Sequence, residues 1–262
     1  MFGREAEDPD YLRFAGLDPH SILTSWLVKD AIVGMDMEDG EILERCKYIK
    51  GKYKPVRDKQ AKPGVLGDQL GLGPRKLYWA NREWFNSEAE VKRMQDTLHE
   101  PFPRVAAYKV RIRRQADDAK YLMNQWHMMR EFYEVYKPAW NKYKGCWEDK
   151  PGLNFNDALS FPVQSNSHGM VRQKVKQVWA GGLGREFWLA NNVHDSLVMI
   201  PEESKLDKCI EAVYGIMQAP CMELANKVCP GGFSCKVEVT VGKNWASYHE
   251  TRNPEGMREV KV

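Results

Sequence analysis

Asp195 and His194 sit side by side at the centre of residues 186 to 201, EFWLANNVHDSLVMIP, between the apolar runs 187 to 190 and 197 to 200. Two short apolar runs around an Asn- and Asp-rich centre predict a β-hairpin with these two residues at its turn. A carboxylate at the tip of a strand pair suits metal-dependent chemistry, although Asp and Asn also populate ordinary turns for backbone reasons. A second chemically suggestive stretch is 47 to 76, KYIKGKYKPVRDKQAKPGVLGDQLGLGPRK, with nine basic side chains, Arg57 and Lys62 among them, and glycines at 64, 67, 71 and 73. Cations beside glycines suit phosphate oxygens, because glycine lets the backbone approach closely. A solvated basic loop has the same composition, and no GxxxxGK[ST] loop is present. A third cluster, Arg104, Lys109, Arg111, Arg113 and Arg114, falls on one expected helix. It fits a phosphate path or a face kept soluble by charge.

The elements that position these groups follow from periodicity. Asp18 as cap and Pro19 as first residue open a helix expected over about 19 to 33, with His20 in its first turn. A second helix is expected over 41 to 50, after a short acidic loop. From 78 to 136 the pattern is helical, interrupted near Asn86-Ser87 and at Pro101 and Pro103; Ser87 with Glu90 resembles a capping box. Residues 137 to 159 read as loop, punctuated by Pro138, Gly145, Pro151 and Gly152. Met170, Val171, Val175 and Val178 recur at helical spacing. Residues 206 to 229 read as a long amphipathic helix kinked by Pro220. Strict alternation over 234 to 241, SCKVEVTV, predicts a half-buried strand beside the 186–201 hairpin, making a three-stranded antiparallel sheet.

At 262 residues, 43% apolar and 29% charged, the chain is globular, and its formal charge of +3 requires any nucleic-acid surface to be local. Six cysteines without a CxxC pair read as reduced thiols in a cytoplasmic protein. No apolar run nears the roughly 18 residues of a membrane span. Nine tryptophans and eleven tyrosines suit either core packing or stacking surfaces.

Several stretches, in this order along the chain, resemble the family A DNA polymerases, the family of bacterial DNA polymerase I that is common in phages. Val193-His194-Asp195-Ser196 and the apolar strand after it resemble motif C. Val237 to Trp245, VEVTVGKNW, is similar to the closing strand with its GxNW signature. Phe161-Pro162-Val163-Gln164 resembles the N-x-P-x-Q segment, Lys62-x3-Leu66-Gly67-x2-Leu70-Gly71 matches the frame of motif B, and Leu12, Phe14, Asp18 and His20 resemble the segment that follows motif A. The departures are specific. Motif A itself, D-x-S-x-x-E, is absent; leucines stand at two aromatic positions of motif B; Pro63 follows Lys62; Arg57 lies one residue too far from Lys62; and Ser196 replaces a glutamate.

The resemblance implies an α+β fold: a partial palm over 1–45, helical fingers over 46–155, and over 156–262 a palm with a small antiparallel sheet that carries the motif C-like hairpin. It implies transfer of dNTPs to a primer 3′ end through two Mg²⁺ ions about 4 Å apart, with Asp195 as metal ligand and His194 beside the primer terminus. Arg57, Lys62, Leu66 and His20 would hold the nucleotide, and Gln164 would read the minor groove of the primer–template, with Arg104, Arg111 and Arg114 on the DNA backbone. One carboxylate cannot hold two hard cations, so a separate N-terminal polymerase subunit is expected to supply the motif A aspartate. Glu5, Glu7, Asp8 and Asp10 are the candidates within the chain. A non-catalytic DNA-binding remnant or replication accessory protein is the alternative.

Overall fold

Proline and aspartate set where the first helices begin. In the computed structural model, which describes residues 1–262, the Asp8 carboxylate accepts from Tyr11 N at 2.9 Å to open the helix Pro9–Gly16. Asp18 accepts from Ser21 N at 3.1 Å to open Pro19–Val28. Each cap satisfies a backbone donor that the first turn leaves free, worth about 1 kcal/mol. Pro19–Val28 is shorter than expected, because Lys29 turns left-handed at φ 54° and ends it. Ser87 caps Glu88–His99 as predicted, but Glu90 reaches back to the backbone N–H of Asn86, not of Ser87.

The chain divides into two compact units, 1–166 with 226–228, and 167–225 with 229–262. The first is mainly helical. Phe2, Tyr11, Phe14, Phe102 and Tyr108 are buried at its centre, with ring centroids 5.0 to 5.7 Å apart. Such ring pairs each add about 1 kcal/mol to the burial of their area. Around them run Asp39–Lys52, the basic helical stretch 54–69, Pro74–Ala80, Glu88–His99 and Pro103–Ala119.

Two hairpins follow where helix and loop were expected. Tyr121–Met123 pairs with Met129–Glu131, and Tyr136–Asn141 pairs with Cys146–Pro151. The second is closed by Asn141, whose side-chain oxygen accepts from Tyr143 N and Lys144 N, and by Gly145 at φ +63°. Pro138 is tolerated because both strands are edges and its missing N–H leaves no ladder bond broken.

In the second unit Val178, Phe187, Cys209 and Val213 form a small core that supports the hairpin Leu189–Val193 and Ser196–Met199. A lone hairpin is marginal in water, so the packing of its own Leu189, Leu197 and Met199 against this core holds it in place. The expected three-stranded sheet does not form. Only Val239–Val241 of the alternating stretch is strand, and its partner is Arg258–Val260. Alternation specifies a buried face but not the neighbour that covers it. The expected long helix also ends early, as Leu206–Gln218: Pro220 forces Ala219 to ψ 142° and terminates it instead of kinking it.

Candidate functional site

The basic stretch is helical, not a loop, and its glycines at 64, 67 and 71 pack against protein, while Gly73 faces open space. A Cβ on Gly64 would meet the Met94 side chain at 2.6 Å. Gly71, at φ +75°, closes the helix Lys62–Gln69 in a Schellman turn, with Leu72 N bonded to Gly67 O and Gly71 N to Asp68 O. The cations are left to meet a ligand by their side chains alone.

Arg57–Ala61 is a π-helical turn, in which Lys62 N donates to Arg57 O. In a plain α-helix two residues five apart lie about 140° from one another around the axis. A π turn holds one extra residue and brings them back into line. The five-residue spacing of Arg57 and Lys62 is accommodated in this way. The widened turn also relieves Pro63, whose ring would clash with the carbonyl four residues earlier in an α-helix. Lys62, Leu66 and Leu70 then follow one another at four-residue spacing, all exposed on one face.

Arg57 is mostly buried and held from three sides. Its guanidinium donates to both Asp18 carboxylate oxygens at 3.2 Å, to Ser21 Oγ at 2.9 Å and to Asp58 at 2.7 Å. Burial alone would raise the Asp18 carboxyl, but hydrogen bonds from Ser21 and the Arg57 charge outweigh it and hold that group below the usual carboxylate range. His20 belongs to the same cluster. Its burial pushes the imidazole below its ordinary value, and the Arg57 and Lys62 charges push the same way against Asp18. His20 Nδ1 is buried with no hydrogen-bond partner. Two segments more than thirty-five residues apart in sequence thus bring His20, Arg57 and Lys62 together.

Behind this face Asp68 is buried and accepts from Lys109 Nζ at 2.6 Å and His99 Nε2 at 2.8 Å through the same oxygen. The ion pair fastens Lys62–Gln69 to Pro103–Ala119, a role that sequence reading gave to no residue. Arg113 is likewise structural: it stacks 3.8 Å over Phe155 and donates to the Phe155 carbonyl.

Arg104 and Arg111 are exposed and, with Ala6, Glu7, Ala107 and Lys227, line a depression of about 310 Å³. Arg104 donates to the Glu7 carbonyl at 3.0 Å. Arg114 is instead paired with Asp149 at 2.9 Å and stacked 4.4 Å over Tyr136. Gln164 is exposed on the helix Phe155–Ala180.

In the second unit the hairpin is as predicted. Val193 faces Ser196 across a two-residue turn of His194, at φ 54°, and Asp195. Both turn residues are exposed; the Asp195 carboxylate has one hydrogen-bond contact, from Ser196 Oγ at 3.4 Å, and its charge adds to the burial that pushes the Cys235 thiol up. No group of three or more His, Cys, Asp or Glu side chains is placed to hold a metal ion. Asp195 alone therefore does not fit a pair of Mg²⁺ ions, each of which needs several oxygens. Of the candidate N-terminal acids, Asp8 is used as a helix cap, and Glu5 pairs with Arg4 and accepts from Asn166 at 2.9 Å.

The chain is similar to a solved structure described as the POL domain of Pol1 from M. smegmatis in complex with DNA primer-template and dNTP, with a TM-score of 0.58 and 16% identity. The match covers 88% of this chain and 35% of that one, so the chain spans about a third of its length. At this identity the likeness is one of fold: α+β, with small two-stranded antiparallel sheets like those of a polymerase domain. No protein-family model and no curated protein matches the sequence. No helix is long and apolar enough to cross a membrane.

Proposed function

We propose that this chain is the fingers and most of the palm of a family A DNA polymerase, adding dNTPs to a primer 3′ end on a template. The observation that carries the reading is the π-helical turn, which returns Arg57 to the face of Lys62 beside His20. Exposed Lys62 donates to triphosphate oxygens as a charged hydrogen-bond donor, and Arg57 joins it by exchanging its Asp58 partner for a phosphate oxygen. His20 Nδ1, buried and unpartnered, offers a further contact. Leu66 gives the base an apolar floor in place of an aromatic ring. Gln164 meets minor-groove acceptors that every base pair presents, and so checks pair geometry without preferring a sequence. Arg104 and Arg111 contact the DNA backbone.

Asp195 is the catalytic carboxylate, with His194 at the primer terminus. Because Asp195 stands alone at its turn, a second carboxylate must come from outside these residues, and we assign it to a separate polymerase chain that carries motif A. The open edges of the Leu189–Met199 hairpin are free to pair with an added strand. Binding of a dNTP to the isolated chain, read by calorimetry and weakened about tenfold in Lys62→Ala, tests the nucleotide half of the reading. Equal affinity in that variant would contradict it.

The lone Asp195 favours one other reading, a DNA-binding protein without catalysis. It predicts that no second chain restores extension.

A further inference from the structure

The hairpin Tyr136–Asn141 and Cys146–Pro151 carries side chains that neither candidate site uses. Its root is fixed: the Tyr136 ring packs edge-on to Phe155 at 5.4 Å, and Arg114 stacks on Tyr136 while donating to Asp149. Directly paired residues of an antiparallel ladder share a face. Tyr136 with Pro151, Pro138 with Asp149, and Trp140 with Trp147 therefore line one face from root to tip. The two indoles meet edge to face at 5.7 Å, yet they remain 52% and 68% exposed. Beyond them Tyr143, in the turn, is 89% exposed, with Lys142 Nζ 5.1 Å from its ring centre.

The charges around these rings are one-sided. Residues 136–151 hold Lys137, Lys142, Lys144 and Lys150 against Glu148 and Asp149. Both acids are already satisfied, Glu148 by Lys144 and Asn141, Asp149 by Arg114. Lys137, Lys142 and Lys150 take part in no ion pair. The exposed rings stand among lysines, which protein interfaces are depleted in and phosphates attract.

We propose that this hairpin binds single-stranded nucleic acid, with bases stacked on Trp147 and Tyr143 and phosphates met by Lys142 and its neighbouring lysines. Every base has a π face, so the contact tolerates any sequence, and the lysines make it sensitive to salt. The cross-strand indole pair keeps the platform rigid before the strand arrives. The inference rests on the polymerase reading only for the origin of that strand, as the unpaired part of a template.

The test is fluorescence anisotropy of a labelled oligothymidylate of about 12 nucleotides with the whole chain. Tyr143→Ala at the exposed turn and Trp147→Ala together should weaken binding about tenfold or more. Lys142→Ala should reduce the salt dependence, and affinity for blunt duplex should hold in all variants. Trp147→Phe, which keeps a ring, should retain most of the affinity and guards against a loss caused by a disordered hairpin. Unchanged oligothymidylate binding in the double variant, absence of binding by the parent chain, or an equal loss for duplex would each overturn the proposal. Lys62→Ala run alongside separates the two claims. Weaker dNTP binding, by about tenfold, with unchanged oligothymidylate binding is expected, and unchanged dNTP binding would remove the polymerase reading while leaving the hairpin result standing.

Discussion

Around Arg57, side chains from two distant segments interlock: Asp18, Ser21 and Asp58 hold the guanidinium, His20 is buried beside it, and the buried Asp68–Lys109 pair braces the helix from behind. Around Asp195 nothing interlocks. The carboxylate stands at an exposed turn on a two-stranded sheet with one weak contact to its neighbour Ser196. The first region is held in one arrangement by its own residues. On the proposed function, the second presents one carboxylate without the partners that metal-dependent transfer needs, and those would arrive from another chain. A polymerase divided between chains would show this asymmetry, with the nucleotide face complete and the catalytic face awaiting a strand.

The asymmetry can be attacked from both ends. Asp195→Ala should abolish extension by the assembled complex, a loss of about a thousandfold or more, while moving the melting temperature by less than about 2 °C. Retained activity would remove Asp195 from the chemistry. Asp68→Ala should instead cost about 3–5 kcal/mol in urea unfolding, because it strands the buried Lys109 ammonium without its partner. A loss under about 1 kcal/mol would mean that the bracing is ornamental.

Lys62→Ala should lower dNTP affinity about tenfold, the value of a charged hydrogen bond, with unfolding unchanged. The π turn gives a finer test. Deleting Lys59 together with Pro63→Ala should yield an ordinary α-helix that keeps Arg57 and Lys62 on one face, and dNTP affinity should stay within about threefold. A large loss would show that the π turn matters for more than register.

The smallest effect concerns pH. Asp18 has its folded pKa depressed below the unfolded value, so its contribution is fully present above the unfolded pKa of about 3.9 and is lost as pH falls through the lower folded value. Asp18→Asn should therefore flatten the acid limb of the stability curve, read by thermal melts below about pH 5.

Local chemistry was legible in the sequence where one residue acts on its neighbours. Asp18-Pro19 and Ser87 start helices as their types dictate, and the short polar centre at 191 to 196 does form a two-residue turn. Pairing across distance was not legible. The 136–151 hairpin hides behind Pro138, Gly145 and Pro151, which also mark loops, and its register is shown by a Trp140–Trp147 contact that periodicity does not reveal. The strand near Val239 was visible, but its partner at Arg258–Val260 was not. Among the site residues, the Arg57 offset read as a defect because a π turn leaves no compositional mark. Arg114 read as free because its partner, Asp149, lies thirty-five positions on. Lys227, which lines the depression with Arg104 and Arg111, gave no signal at all.

Primer extension in magnesium buffer, by the purified folded chain alone and mixed with a polymerase chain that carries motif A, tests the central claim most directly. The account predicts silence from the chain alone and template-dependent extension from the mixture, lost again with Asp195→Ala. Extension by the chain alone, or silence in the mixture with DNA and dNTP binding intact, would contradict it.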